Sequence, residues 1–406
     1  MTDVRREERR LHMAVLGVGW PIETFLERLF VGLADGGVDV WVAARDRAPW
    51  VHAADHPRLH WLRLPTGTES RSRRGLQLVS QVASGLATAP RSTAAALRAS
   101  GSMAEALRLL PYARRPWDLF YFPWNAAAMI HLPLYDLGVP VLVSCRGAQI
   151  NVAAHDPSRR RLYERLPASL TGATAVHCVS RDMVREAELY GLDPAKARVI
   201  PPSVDPEVFA PPPGGRTPRG PGEPLRLVTT GSMIWRKGHD DAIHAVALAR
   251  ERGVDVELDI VGFGFEGQRQ RLLYGISDLG LEGKVRLVGH LAPEGVRGVL
   301  QRAHGFLLAS LSEGISNAAL EAMACGLPVI STDCGGMPEA ITDGVHGLLV
   351  PTRDPEALAD AIARLAADGE GAAAMGTAAR RRVAEDFRLD RQIADFLDLV
   401  RRTADC

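Results

Sequence analysis

Glu313 and Glu321, eight positions apart, and the adjacent cations Arg236 and Lys237 are the side chains best placed to do chemistry. Two carboxylates can act as acid and base on a glycosidic bond when they stand roughly 5 to 9.5 Å apart. One carboxylate can instead accept the vicinal hydroxyls of a ribose, as the acidic residue of dinucleotide folds does. A loop lysine can neutralise a departing diphosphate, the main electrostatic demand when a sugar leaves its nucleotide. Eight residues of continuous helix would separate Glu313 from Glu321 by about 12 Å, and the loop between them leaves their distance open.

The elements that must hold these groups are legible around them. From Gly305 the sequence runs GFLLASLSEGISNAALEAMACGLPVISTDCGG. A buried strand ends at Leu308 and a polar loop follows. Ser316 or Asn317 then caps a helix that Gly326 stops and Pro328 forbids from continuing. Glu321 falls about one turn into that helix, and Glu313 stays in the loop. The amide donors and positive dipole end of the helix form an anion site at its start. Trp235-Arg236-Lys237-Gly238 likewise follows a strand and precedes a helix.

At 406 residues the chain is longer than one hydrophobic core usually grows, which predicts two domains. Short apolar runs bounded by glycine or proline alternate with amphipathic stretches, the pattern of βαβ units on parallel sheets. One series has strands at Met13–Leu16, Val38–Val42, Leu119–Phe122, Val139–Val143 and Ala175–Val179, with helices at about 23–34, 159–170 and 180–190. A second has strands at Leu225–Thr229, Val256–Val261, Val285–Val288, Gly305–Leu308, Pro328–Ser331 and Gly347–Val350. Residues 355–404 read as two or three further helices. Between Pro201 and Pro224 the run PPPGGRTPRGPGEP favours extended segments over packed structure. The expected division is an N-terminal domain at 1–205, a linker at 206–224, a second domain at 225–385 and a C-terminal helix at 386–406 packing back toward the first domain. Ligands of such doubly wound sheets bind beyond the carboxyl ends of the strands.

Other classes recede. The 48 basic and 48 acidic residues balance, which removes the field expected of a nucleic-acid binder. Cys145, Cys178, Cys325, Cys334 and Cys406 match neither a disulfide framework nor a zinc site, so a reduced, cytoplasmic setting is expected. The apolar run before Trp20-Pro21 is too short for a secretory signal. No stretch of eighteen apolar residues spans a membrane.

Glu313-Gly314, Glu321-Ala322-Met323-Ala324-Cys325-Gly326, Pro328-Val329, Asp333, Gly335-Gly336, Glu339 and Gly347 together resemble the signature of the family 4 glycosyltransferases of the GT-B type. The resemblance extends to Ile22-Glu23-Thr24-Phe25-Leu26, which looks like the opening of exopolysaccharide-type members, and to Val199-Ile200-Pro201 with Val204-Asp205-Pro206, which looks like their interdomain segment. It implies two Rossmann-like domains facing each other across a cleft, an acceptor side in the first and a nucleotide-sugar site in the second. It also implies a retaining reaction by front-face displacement, with no metal and no cofactor beyond the nucleotide-sugar donor. On that resemblance Glu321 binds the ribose hydroxyls and Glu313 faces the donor sugar. Backbone amides of Gly314, Ile315, Ser316 and Asn317 hold sugar and diphosphate. Gly17 and Gly19 form the glycine-rich loop of the first domain, which fails as a Rossmann fingerprint because the third glycine is missing.

The chain departs from the family in three places. Ser232 stands where an arginine commonly lies five positions before the lysine, so Arg236 would supply the second charge. Tyr121-Phe122-Pro123-Trp124-Asn125 replaces a histidine-rich strand end. Arg146-Gly147-Ala148-Gln149 replaces a His-Gly-x-Asp run, putting a permanent cation where an imidazole is usual. Arg146 would then contact the donor sugar or departing phosphate, or tie down a loop. Gly262-Phe263-Gly264 fits a close-approach turn. Residues 61–116 carry nine arginines (63, 71, 73, 74, 91, 98, 108, 114 and 115) against Glu69 and Glu105, a face that is either solvated or able to meet an anionic lipid surface or phosphorylated acceptor. The expected partners are a nucleotide sugar and a saccharide, lipid-linked or natural-product acceptor. A GT-B epimerase or phosphorylase, and a silent nucleotide-sugar-binding subunit, are the competing readings.

Overall fold

The central apolar runs fold as parallel strands because they are sheathed on both faces, as the wholly buried Leu119–Phe122 and Val141–Cys145 illustrate. The computed structural model describes residues 10–19, 22–44, 56–64, 71–113, 115–216, 219–220 and 222–406. They form two units: the chain up to Cys178 with Val184–Ile200 and Ile393–Cys406, and Val179–Met183 with Pro201–Gln392.

In the first unit, strands β1 (Leu11–Val15), β2 (Val38–Ala44), β3 (Leu59–Arg63), β4 (Leu119–Phe122), β5 (Val141–Cys145), β6 (Ala175–Cys178) and β7 (Ala197–Val199) lie in the order β3-β2-β1-β4-β5-β6-β7. All pair in parallel. The second unit has β8 (Leu225–Thr230), β9 (Val256–Val261), β10 (Val285–Gly289), β11 (Gly305–Leu308), β12 (Val329–Thr332) and β13 (Gly347–Val350) in the order β10-β9-β8-β11-β12-β13, again parallel throughout. Side chains alternate between faces with the period of two that a strand imposes. Leu307 joins one core layer of the second unit, and Phe306 and Leu308 join the other.

Differences from the sequence expectation are local. The helix expected at 159–170 is two, Arg160–Tyr163 and Leu166–Gly172. Pro167 cannot donate an amide hydrogen bond and sits in the first turn of the second helix. Between β3 and β4 run three helices, Arg71–Thr88, Pro90–Ala99 and Met103–Ala113, a region whose sequence shows no strand-helix alternation.

The proline- and glycine-rich stretch, expected to be extended, is held along the second unit. Arg216 donates to the carbonyls of Leu300, Ala303 and Cys325, and Gln301 donates to those of Ala210 and Pro211. One arginine thus takes up orphan carbonyls at the ends of two helices. The tail makes three helices, Pro355–Ala367, Gly369–Asp386 and Leu389–Ala404. In the last, Phe396 is wholly buried within the first unit's core.

Candidate functional site

The strand order of the second sheet reverses between β8 and β11, and loops leaving such a switch point diverge to open a crevice at the carboxyl ends. Lys237 lies in the loop after β8, and Glu313 in the loop after β11. Trp235–Lys237 form a single 3-10 turn that Gly238 closes before the helix His239–Glu251. Lys237 Nζ donates to Glu313 Oε1 at 2.5 Å. Ser310 Oγ donates to the same oxygen at 2.7 Å. Glu313 is only 7% exposed, so the lysine and serine stand in for water around its charge.

The loops are clamped around that pair. Leu311 N–H donates to the Arg236 carbonyl at 2.7 Å, and Arg236 Nη1 reaches the Ser312 carbonyl at 3.4 Å. Thr332 Oγ1 donates to the Ser310 carbonyl at 2.5 Å. Arg236 therefore shapes the loop that carries Glu313. Ser310 and Thr332 were not singled out in the sequence. The one signal for Ser310 is a polar residue directly after a buried strand and three positions before Glu313.

Ser316 is the N-cap of helix Asn317–Ala324, its side chain accepting from Ala319 N–H. Its own amide points at Met337 Sδ, 3.4 Å away. Among the described residues the amides of Gly314 and Ile315, in the loop before the cap, and of Asn317, the first residue of the helix, take no acceptor, which leaves them open to a ligand. Glu321 lies half-buried one turn further on. Glu339, part of the same motif, is occupied otherwise: its carboxylate accepts the amides of Arg181 at 3.0 Å and Asp182 at 2.9 Å. Ser232, where the family has arginine, offers its carbonyl to His239 Nε2 at 3.2 Å.

Gly17, Gly19 and Arg146 belong to the first unit. Gly17 has φ +77° and a Cβ there would fall 2.0 Å from Ala127 Cβ, so the loop after β1 passes against the helix Asn125–Ile130 only as glycine. Gly19 has open space around it. Arg146 follows β5; its Nη2 donates to Tyr121 Oη at 3.2 Å, and its guanidinium lies over the rings of Phe25 and Phe396. Of the arginines in the basic region, Arg63, Arg91, Arg98, Arg108 and Arg115 are exposed. The side chains of Arg71, Arg73 and Arg74, together with Glu69 and Arg114, lie outside the described residues. Among the described residues no helix is long and apolar enough to cross a membrane.

Residues 22–203 match the family model of the glycosyl transferase 4-like domain, and residues 224–368 that of the glycosyl transferases group 1. The amylovoran biosynthesis glycosyltransferase AmsK of Erwinia amylovora is 37% identical over 186 residues, 43% of this chain and 45% of that one. A GDP-mannose-dependent alpha-(1-6)-phosphatidylinositol monomannoside mannosyltransferase of Mycobacterium tuberculosis is 30% identical over 272 residues, 64% of this chain and 69% of that one. The match takes in less than half the length of the exopolysaccharide relatives, 45% of AmsK and 48% of the Salmonella WcaL protein. Among solved structures, sucrose-phosphate synthase from Thermosynechococcus elongatus superposes with a TM-score of 0.74 at 22% identity, over 97% of this chain and 99% of that one. Anabaena HepE in complex with UDP gives 0.70 at 16% identity, over 96% and 100%, a likeness of fold. Two parallel-sheet units, a charged pair at the switch point of the second and family matches along both make the chain a member of the family 4, group 1 glycosyltransferases of the GT-B fold.

Proposed function

We propose that the protein is a retaining glycosyltransferase that moves a sugar from a nucleotide-diphosphate sugar to a hydroxyl of a saccharide, lipid-linked or natural-product acceptor. The observation that carries this reading is the buried Lys237–Glu313 pair at the β8/β11 switch point, beside the open amides at the start of helix Asn317–Ala324. Lys237 and the amides of Gly314 to Asn317 meet the charge of the leaving diphosphate. Glu321 takes the ribose hydroxyls. Glu313, an acceptor already bound to a cation and a hydroxyl, suits binding of the donor sugar better than proton transfer. Arg146 meets the donor sugar or its phosphate, Gly17 and Gly19 belong to the donor-binding set, and the diphosphate is neutralised without a metal.

HepE is described with UDP and with UDP-glucose, and the mycobacterial relative is named for GDP-mannose. A nucleoside-diphosphate hexose is accordingly the donor class to screen. The experiment is incubation with UDP- and GDP-hexoses plus saccharide acceptors, following nucleoside diphosphate release and the anomer formed, with and without EDTA. Release that survives EDTA and yields a retained anomer supports the reading. Binding without release under every acceptor favours the silent subunit, and release that needs inorganic phosphate favours a phosphorylase.

Membrane contact on the acceptor side is favoured by one observation. Leu76, Val79 and Leu86 recur at helical spacing on Arg71–Thr88 and are 75%, 67% and 49% exposed, in a stretch rich in arginine. Cosedimentation with anionic vesicles at low salt tests this, and absence of binding rejects it.

A further inference from the structure

Behind Arg146 runs a buried chain of polar groups whose hydrogens can be placed from its two ends. His177 on β6 is 0% exposed. Its Nε2 lies 2.8 Å from the Ile200 carbonyl, which can only accept, so Nε2 carries the hydrogen. Burial and the nearby Arg146 cation hold the imidazole well below its usual range, and the neutral ring leaves Nδ1 as an acceptor. Ser144 Oγ, 2.8 Å away, must donate to it. With that hydrogen spent, Ser144 accepts from Tyr121 Oη at 3.0 Å. Tyr121 in turn accepts from Arg146 Nη2 at 3.2 Å. Every bond therefore points one way, from the guanidinium to the Ile200 carbonyl.

The cation at the head of this chain has no carboxylate beside it. Among the described residues Arg146 forms no ion pair, and its Nε is buried without an acceptor. A carboxylate in place of Tyr121 would hold the guanidinium equally well and cancel its charge. A phenol that is itself fixed by serine and histidine orients the guanidinium and leaves the charge for a ligand. A half-buried cation without a counter-charge is costly, and an anionic group of the substrate would supply it.

We propose that Tyr121, Ser144 and His177 are positioning residues, locking the Arg146 guanidinium in the orientation that receives a phosphate of the donor. This rests on the reading of Arg146 as a substrate contact. Preorganisation matters here because an arginine side chain otherwise loses considerable rotamer freedom on each binding event.

The test is a double-mutant cycle on kcat and KM for the donor. Tyr121→Phe deletes the acceptor and keeps the ring that packs on Phe30 and Phe396. It should lower kcat about tenfold in the wild-type background and less than about twofold in an Arg146→Ala background, because residues acting as one unit are not additive. Ser144→Ala, which cuts the chain one step further back, should show the same pattern and serves if Tyr121→Phe does not fold. Equal factors in both backgrounds, or wild-type turnover in Tyr121→Phe and Ser144→Ala, overturn the positioning role while leaving Arg146 in place. Wild-type turnover in Arg146→Ala rejects the substrate contact itself.

Discussion

Lys237 and Glu313, 76 positions apart in the chain, meet at 2.5 Å where the loops after β8 and β11 converge. The ammonium supplies the buried carboxylate with a charged hydrogen-bond donor, and the carboxylate aims the ammonium. Breaking a buried pair leaves one charge uncompensated, at a cost of about 3–5 kcal/mol. Glu313→Gln should therefore lower the melting temperature and also cut kcat on the order of a hundredfold, since an electrostatic group preorganised at the reacting centre is lost. Lys237→Ala should weaken nucleoside diphosphate binding about tenfold or more and leave nucleoside binding unchanged. Calorimetric titration with both ligands, beside steady-state kinetics, separates the two effects. Equal weakening for nucleoside and diphosphate would count against the lysine as a phosphate group.

Glu321 carries a different prediction. If its carboxylate accepts the ribose hydroxyls, Glu321→Gln should cost about 1.5–3 kcal/mol, the range for hydrogen bonds to a charged group. The loss should vanish for a 2′,3′-dideoxy nucleoside diphosphate, which lacks both hydroxyls. Affinity for the two nucleotides, measured on wild type and variant, gives the answer. A variant that weakens both equally has lost something other than the ribose contact.

What the sequence disclosed and what it withheld divide along a physical line. Gly305–Leu308 and Gly347–Val350 coincide with the expected strands because a strand covered on both faces is an unbroken apolar run, and Val256–Val261 does so because its apolar residues alternate with Glu257 and Asp259 at the period of a strand. The Ser316 cap and the stop at Gly326 were legible because helix ends need specific residue types. The meeting of Lys237 with Glu313 was not, since separation in sequence says nothing about which loops a switch point brings together. Tyr121, Ser144 and His177 each look like an ordinary strand residue. They line up only because β4, β5 and β6 are neighbours in register. Between β3 and β4 the helices are not legible in the sequence because Gly75, Gly85 and many alanines and serines blur the periodicity.

Gly335 tests how closely the loop after β12 presses on Glu313. Its φ is +57°, and a Cβ there would fall 1.9 Å from the Glu313 carbonyl oxygen. Gly335→Ala must either shift that loop or push Glu313 away from Lys237. A left-handed residue under such a clash costs on the order of 1–3 kcal/mol. The melting temperature should drop accordingly, and kcat should fall by more than the loss of folded protein explains. A variant that melts lower yet keeps full specific activity would show that the carbonyl yields without moving the carboxylate.

The histidine at the head of the helix His239–Glu251 ties stability to pH. His239 is 3% exposed and its Nε2 donates to the Ser232 carbonyl. Burial lowers its pKa from 6.5 to about 4. An unfolded histidine titrates near 6.5, so between the two values the unfolded chain binds a proton that the native state refuses. Stability from this group is complete above the unfolded value and falls as pH drops through the window, by about 2 kcal/mol at pH 5. His304, lowered to about 4 by burial and by Arg226, adds in the same direction. Comparison with His239→Gln isolates the first contribution, because every other titration is common to both proteins and glutamine can still donate to Ser232. Urea unfolding at pH 7 and pH 5 should show wild type losing about 2 kcal/mol more than the variant. Parallel losses would mean that His239 takes up its proton in the folded protein.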